Sequence, residues 1–192
     1  MTKTEIFRIV EVTSAAELRA WLSENHSFEE SIWLVTYKKC VADKYVSVSE
    51  VLDELLCFGW IDGIRRKLDE ERTMQLISPR KAQHWAKSYK DRVAKLEKEG
   101  RMMPPGIQSV EEGKRSGLWN FMDDVDALIL PDDFIHALKA IPGAYSNFNA
   151  FNDSSKRNML RHIKLAKTEK TRAKRIAKLT ELATQNKKLP GS

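Results

Sequence analysis

Six side chains in the middle of this 192-residue sequence could together hold a small anion: Trp60, Asp62, Arg65, Lys67, Arg80 and Trp85. A guanidinium offers paired donors to a carboxylate or phosphate, and an indole supplies a flat apolar wall. If Asp62 sits in a turn, the strand after it points Arg65 and Lys67 to one face by period-two alternation. With Arg80 and Trp85 folded back nearby, an aromatic-walled pocket with three cations and one carboxylate results. The plainer alternative is structural. Asp62 then caps the turn at Gly63 and pairs with Arg65, as Asp-Gly turns do, while Trp60 is core. A third possibility is catalytic, with Asp62 as a general acid or base of an unknown reaction. That role requires a half-buried carboxyl with a displaced pKa.

A second group lies near the C-terminus. Residues 156–188 hold twelve Lys or Arg against Glu169 and Glu181, a net +10 that leaves −4 of the chain's +6 for the remainder. On a helix, Lys167, Lys174 and Lys178 share a face at i, i+7 and i+11. Arg175 lies beside them and Arg172 toward another side. Such a stripe could follow a phosphate backbone, and nucleic acid or an acidic protein would be its partner. No aromatic residue follows Phe151, so base stacking has nothing to use. A solvated helix face, with its arginines turned to acidic partners, is the alternative.

Other chemistry finds little support. Ser47, Ser49, Ser78, Ser88, Cys40 and Cys57 are possible nucleophiles, but none stands in GxSxG or SxxK. The four histidines are scattered and the two cysteines lack CxxC spacing, so neither a metal site nor a cofactor is expected. Asp123, Asp124, Asp126, Asp132 and Asp133 lack the glycine and terminal glutamate of a calcium loop. They suit a cap for the following helix or a dock for the basic stripe. Hydrophobic residues at 42% and charged residues at 31% describe a globular chain. There is neither an apolar run of membrane length nor an uninterrupted secretory core, so a cytoplasmic protein is expected.

The elements that must position these groups follow from pattern. Glu5 to Val10 reads as a short strand, and Ser14 to Glu17 as a capping box ahead of a helix burying Leu18, Trp21 and Leu22. Ser31 to Lys38 is a central strand. A second capping box, Ser47 to Glu50, opens a helix with Val48, Val51, Leu52, Leu55 and Leu56 on one face, which Gly59 stops. Trp60 to Gly63 turns the chain into a hairpin of strands 64–68 and 72–77. A helix spans about 81–99, and Met103 to Gly106 breaks the chain. Residues 104–130 read as a connecting segment, irregular or in short helices. From Pro131 on, all is helix, interrupted at Pro142-Gly143 and restarted at Asn152 and Thr168, with a loose tail from Lys187. Early strands and late helices predict an α+β fold. A small, mainly antiparallel sheet with helices fills 1–103, and an all-helical basic module fills 131–192.

Two segments resemble the bacterial YdeI/OmpD-associated, bacteriocin-protection family. One runs from Cys57-Phe-Gly-Trp-Ile-Asp-Gly63 through Arg65, Lys67 and Asp69 to Ser78-Pro-Arg80 and Trp85. The other is Leu130-Pro-Asp-Asp-Phe through Leu138, then Ala166-Lys-Thr-Glu-Lys-Thr-Arg172 and Arg175-Ile176. Two departures stand out. The residues around Trp85 read Gln83-His84-Trp85-Ala86-Lys87-Ser88-Tyr89 where the family often has a small polar pattern, and Lys170 stands where an acid usually precedes the Thr-Arg pair. The resemblance implies a stress or protection protein, without naming a mechanism. The expectation is non-enzymatic binding of an anionic small molecule or acidic partner.

Overall fold

The computed structural model describes residues 7–190, so Glu5 and Ile6 of the expected first strand, and the last two residues of the expected tail, lie outside the described residues. The chain divides into two compact units, 1–120 and 121–192. Among the described residues no helix is long and apolar enough to cross a membrane. The fold is α+β: a four-stranded sheet in the first unit and helices alone in the second.

In the first unit β1 (Ile9–Glu11) pairs parallel with β2 (Ile32–Tyr37). Strand β2 pairs antiparallel with β4 (Arg72–Pro79), and β4 with β3 (Trp60–Lys67), giving the order β1-β2-β4-β3. Register places Ile32 opposite Ile77 and Trp60 opposite Pro79. Ile32, Leu34, Ile77 and Trp60 are buried with Leu18 and Leu22 of α1 (Ala15–Asn25) and Val51, Leu55 and Leu56 of α2 (Val48–Cys57). Val93 and Leu96 of α3 (Lys87–Lys98) and Val110 of α4 (Pro104–Arg115) complete this core.

The caps follow the sequence with one exchange. Ser47 and Glu50 form a reciprocal box at α2. At α1 the Ser14 hydroxyl accepts from Glu17 N at 3.1 Å, but the Glu17 carboxylate turns back to Thr13 instead of to Ser14. Gly59 ends the α2 connection at φ +72°, and a Cβ there would lie 2.8 Å from Pro105 O, so only glycine fits.

Three expectations are corrected. Trp60 to Gly63 is not a turn but the first half of β3, and Asp62 pairs with Ile77. The stretch after Pro104 opens a twelve-residue helix, because proline costs nothing at the first helical positions. Helix α2 does not bury a purely apolar face. Val48 is exposed, while Asp53 and Glu54 are buried and held by arginines from α1, α3 and the loop after it.

The second unit packs α5 (Asp123–Asp126), α6 (Asp132–Lys139), α7 (Ala144–Ala150), α8 (Asp153–Lys164) and α9 (Glu169–Thr184) around Phe134, Leu138, Phe148, Met159, Leu160, Ile163 and Leu179. Pro131 is the N-cap of α6, one place earlier than expected. Asn152 and Thr168 cap α8 and α9 through their side chains.

Candidate functional site

Strand β3 does not run straight. Asp62 faces Ile77 and Arg65 faces Gln75, so three steps on β3 match two on β4. One extra residue reverses the alternation and carries Arg65 to the face of Asp62. A polar row results. Gln75 Nε2 donates to Asp62 Oδ2 at 3.2 Å, and Arg65 Nη2 donates to Gln75 Oε1 at 2.6 Å. The Tyr89 hydroxyl donates to Asp62 Oδ1. Burial first, and then this bond to Asp62, push the Tyr89 phenol up to about 12, so it keeps its proton and remains a donor. Both oxygens of Asp62 thus accept hydrogen bonds, and the expected Asp62–Arg65 pair is replaced by the Gln75 bridge.

The six expected side chains therefore separate. Trp60 is fully buried, edge-on to Trp21 at 5.6 Å, and belongs to the core. Lys67 is exposed and pairs with Glu70. Arg80 and Trp85 do come together. The Arg80 guanidinium stacks on the Trp85 indole, 3.6 Å from the ring centre, with the Tyr89 ring 5.6 Å away. Its Nη2 donates to His84 O at 3.0 Å, but Nε and Nη1 are buried with no hydrogen-bond partner. Burial lowers the Arg80 pKa to about 10. At neutral pH the group is still a cation, desolvated and short of two acceptors. Such unmet donors cost about 1–3 kcal/mol each.

Arg80 and Trp85 form part of the wall of a cleft of about 510 Å³. Its other polar walls include His26, Lys81, Gln108, Ser109, Ser116 and one carboxylate, Glu112, which pairs with Arg115. Asp62, Arg65 and Lys67 do not line it. The cleft depends on α4, since a Cβ at Gly113 would lie 2.4 Å from Trp85 Nε1, and the indole needs that space. Trp119 completes the support, its ring 5.0 Å from that of Trp85. Sequence reasoning found Arg80 and Trp85 but missed His26, Gln108 and Ser109. Pro104-Pro105 as a helix start was the available signal for the last two.

The basic residues of the second unit separate as well. Lys167 precedes Thr168, the N-cap of α9, so it is not on the helical stripe. Arg172 grips Asp133 with two bonds of 2.7 and 2.9 Å, and Lys164 reaches Asp124 at 2.6 Å. Arg175 Nη1 donates to His162 O at 2.6 Å. Lys174 and Lys178 are exposed.

The Arg172 bond holds the Asp133 carboxyl below its ordinary 3.8. Its contribution to stability is therefore full above that value and disappears as pH falls through the lower, folded value. In acid titrations below 3.8 followed by the helical signal, Asp133→Asn is expected to lose less stability than the parent. Because Asp133 is half-exposed, the difference is small.

Residues 127–186 match the family described as Bacteriocin-protection, YdeI or OmpD-Associated. Residues 10–109, which hold the Gly59–Gly63 segment and the cleft's Arg80 and Trp85, match a separate family. No curated protein and no solved structure matches the chain. The chain belongs to the family described as Domain of unknown function (DUF8412), which is followed here by a YdeI- or OmpD-associated module.

Proposed function

We propose that the protein is a non-enzymatic binder of a small anionic molecule, and that the Arg80 cleft is where it binds. One observation carries the reading: a desolvated guanidinium, stacked on an indole at the wall of an open cleft, with two donors that no protein atom satisfies. Because Nε and Nη1 are closed off from solvent, a carboxylate or phosphate oxygen recovers their unmet hydrogen bonds by drawing the Arg80 side chain outward, and Lys81 adds positive charge at the same wall. The volume lies within the range of small-molecule sites. Asp62 contributes indirectly, by fixing the Tyr89 ring beside the guanidinium.

Thermal unfolding followed by tryptophan fluorescence, against a panel of small carboxylates and phosphates, tests this. A ligand present at a hundred times its dissociation constant adds about 2.7 kcal/mol. That corresponds to a rise of roughly 8–15 °C for a unit of this size. Arg80→Met keeps an apolar stem on Trp85, and is expected to abolish the rise while the variant stays folded. Arg65→Ala, outside the cleft, is expected to leave the rise intact. An equal rise in Arg80→Met, or no rise with any anion, sinks the proposal.

A further inference from the structure

A second concavity, in the helical unit, has a wall without any carboxylate. It measures about 470 Å³ and lies between the C-terminal end of α8 and the N-terminal half of α9. His162 comes from α8, and Lys170, Thr171, Lys174, Arg175 and Lys178 come from α9. The three lysines stand at i, i+4 and i+8, one above another on the same helix face. Like charges at that spacing repel. Elsewhere in this unit cations with an acid in reach use it, as Lys164 does with Asp124 and Arg172 with Asp133. The bond from Arg175 to His162 O fixes its guanidinium against the end of α8. The His162 pKa is lowered by burial and then by the charges of Arg175 and Lys178, which face it from α9.

We propose that this cleft binds a compact chain of phosphates, a di- or triphosphate group, with Lys170, Lys174, Arg175 and Lys178 matching its charges and His162 and Thr171 completing the hydrogen bonds. Four cations around one concavity call for three or four negative charges in a small volume, more than a lone carboxylate carries. An extended nucleic-acid strand fits less well. The row of cations is short, since Lys167 is off the helix and Arg172 is engaged by Asp133, and no aromatic residue follows Phe151 to stack a base. The proposal stands apart from the Arg80 cleft and needs none of its residues.

The test is calorimetric titration of the full chain with inorganic tripolyphosphate at about 0.15 M salt, where long-range charge effects are screened. The histidine resonances are followed by NMR in parallel. Binding is expected, with the His162 titration midpoint moving upward as the anion offsets the neighbouring cations. Lys174→Gln with Lys178→Gln is expected to weaken binding at least tenfold. Lys187→Gln with Lys188→Gln removes the same two charges from outside the cleft and is expected to leave affinity within twofold. Adenosine triphosphate is the comparison arm. Affinity equal to that of tripolyphosphate assigns the site to the phosphate chain, and tighter binding adds a nucleoside to it. Both outcomes support the site. Equal losses in the two double variants, an unmoved His162, or a duplex DNA that binds tightly while tripolyphosphate does not would each overturn it. Circular dichroism of both variants separates a lost site from a lost fold.

Discussion

Replacing Glu54 with alanine is expected to lower the unfolding midpoint of the sheet-bearing unit by about 10–20 °C, the equivalent of about 3–5 kcal/mol. Glu54 is only 4% exposed. Its two oxygens each accept a bond of 2.7 Å, one from Arg19 of α1 and one from Arg101 after α3. Arg19 continues to Arg101 O at 2.9 Å, so the carboxylate and the two arginines close a ring between elements distant in sequence. Asp53 beside it takes Arg92 and, at 3.5 Å, Arg101. Truncating the acid leaves Arg19 without its carboxylate and Arg101 with only its longer contacts to Asp53 and Glu99. The arginines are about one-third exposed, so water relieves part of the loss and the lower end of the range applies. Glu54→Gln, which keeps an acceptor and the volume, is expected to cost less than half as much. The consequence reaches the candidate site, because α2 ends at Phe58-Gly59 and both line the Arg80 cleft. A loss below about 1 kcal/mol in Glu54→Ala would mean that solvent already screens the network.

What was legible in the sequence, and what was not, follows from the range of the interactions involved. The capping box at Ser47, the glycine stop at Gly59 and the caps at Asn152 and Thr168 are decided within four residues, and each is in place. The order of strands and helices gave the α+β class from period alone. The bulge in β3 was invisible, because Asp62-Gly63 reads equally as a turn, and only pairing with β4 shows one residue too many. Asp53 and Glu54 lay outside the apolar face read for α2. Their burial depends on Arg19, Arg92 and Arg101, up to 48 residues away. The candidate site divides the same way. Arg80 and Trp85 are five apart and were found, while the α4 wall with Gln108 and Ser109 needed the tertiary fold. In the basic module the helical spacing of Lys174 and Lys178 was readable. The engagement of Arg172 by Asp133, 39 residues away, was not.

Phe134→Ala is expected to separate the two units in solution. Phe134 is fully buried, edge-on to Phe148 at 5.2 Å, and Phe148 is in turn 6.2 Å from Phe151. Removing a ring from such a core costs about 3–5 kcal/mol, through lost transfer energy and the cavity left behind. The helical unit spans 121–192, and a domain of that size has only about 4–11 kcal/mol in total. Its midpoint should therefore fall by about 15–30 °C, close to unfolding at physiological temperature. The chain provides its own reporters. All five tryptophans, at 21, 33, 60, 85 and 119, lie in the first unit, so their fluorescence follows the sheet domain alone. Far-ultraviolet circular dichroism is weighted by helix and also follows the second unit. In Phe134→Ala the dichroism transition is expected to gain an early step while the fluorescence transition keeps its midpoint. In Glu54→Ala the fluorescence midpoint is the one that moves. Were both signals to fall together in Phe134→Ala, the units would unfold as one cooperative body. The same variant also bears on function. Ile163 and Leu179 sit in the core that Phe134 fills, and they hold α8 and α9 against each other. Tripolyphosphate binding at His162 and Lys174 should disappear with the early step, while binding at Arg80 persists through it.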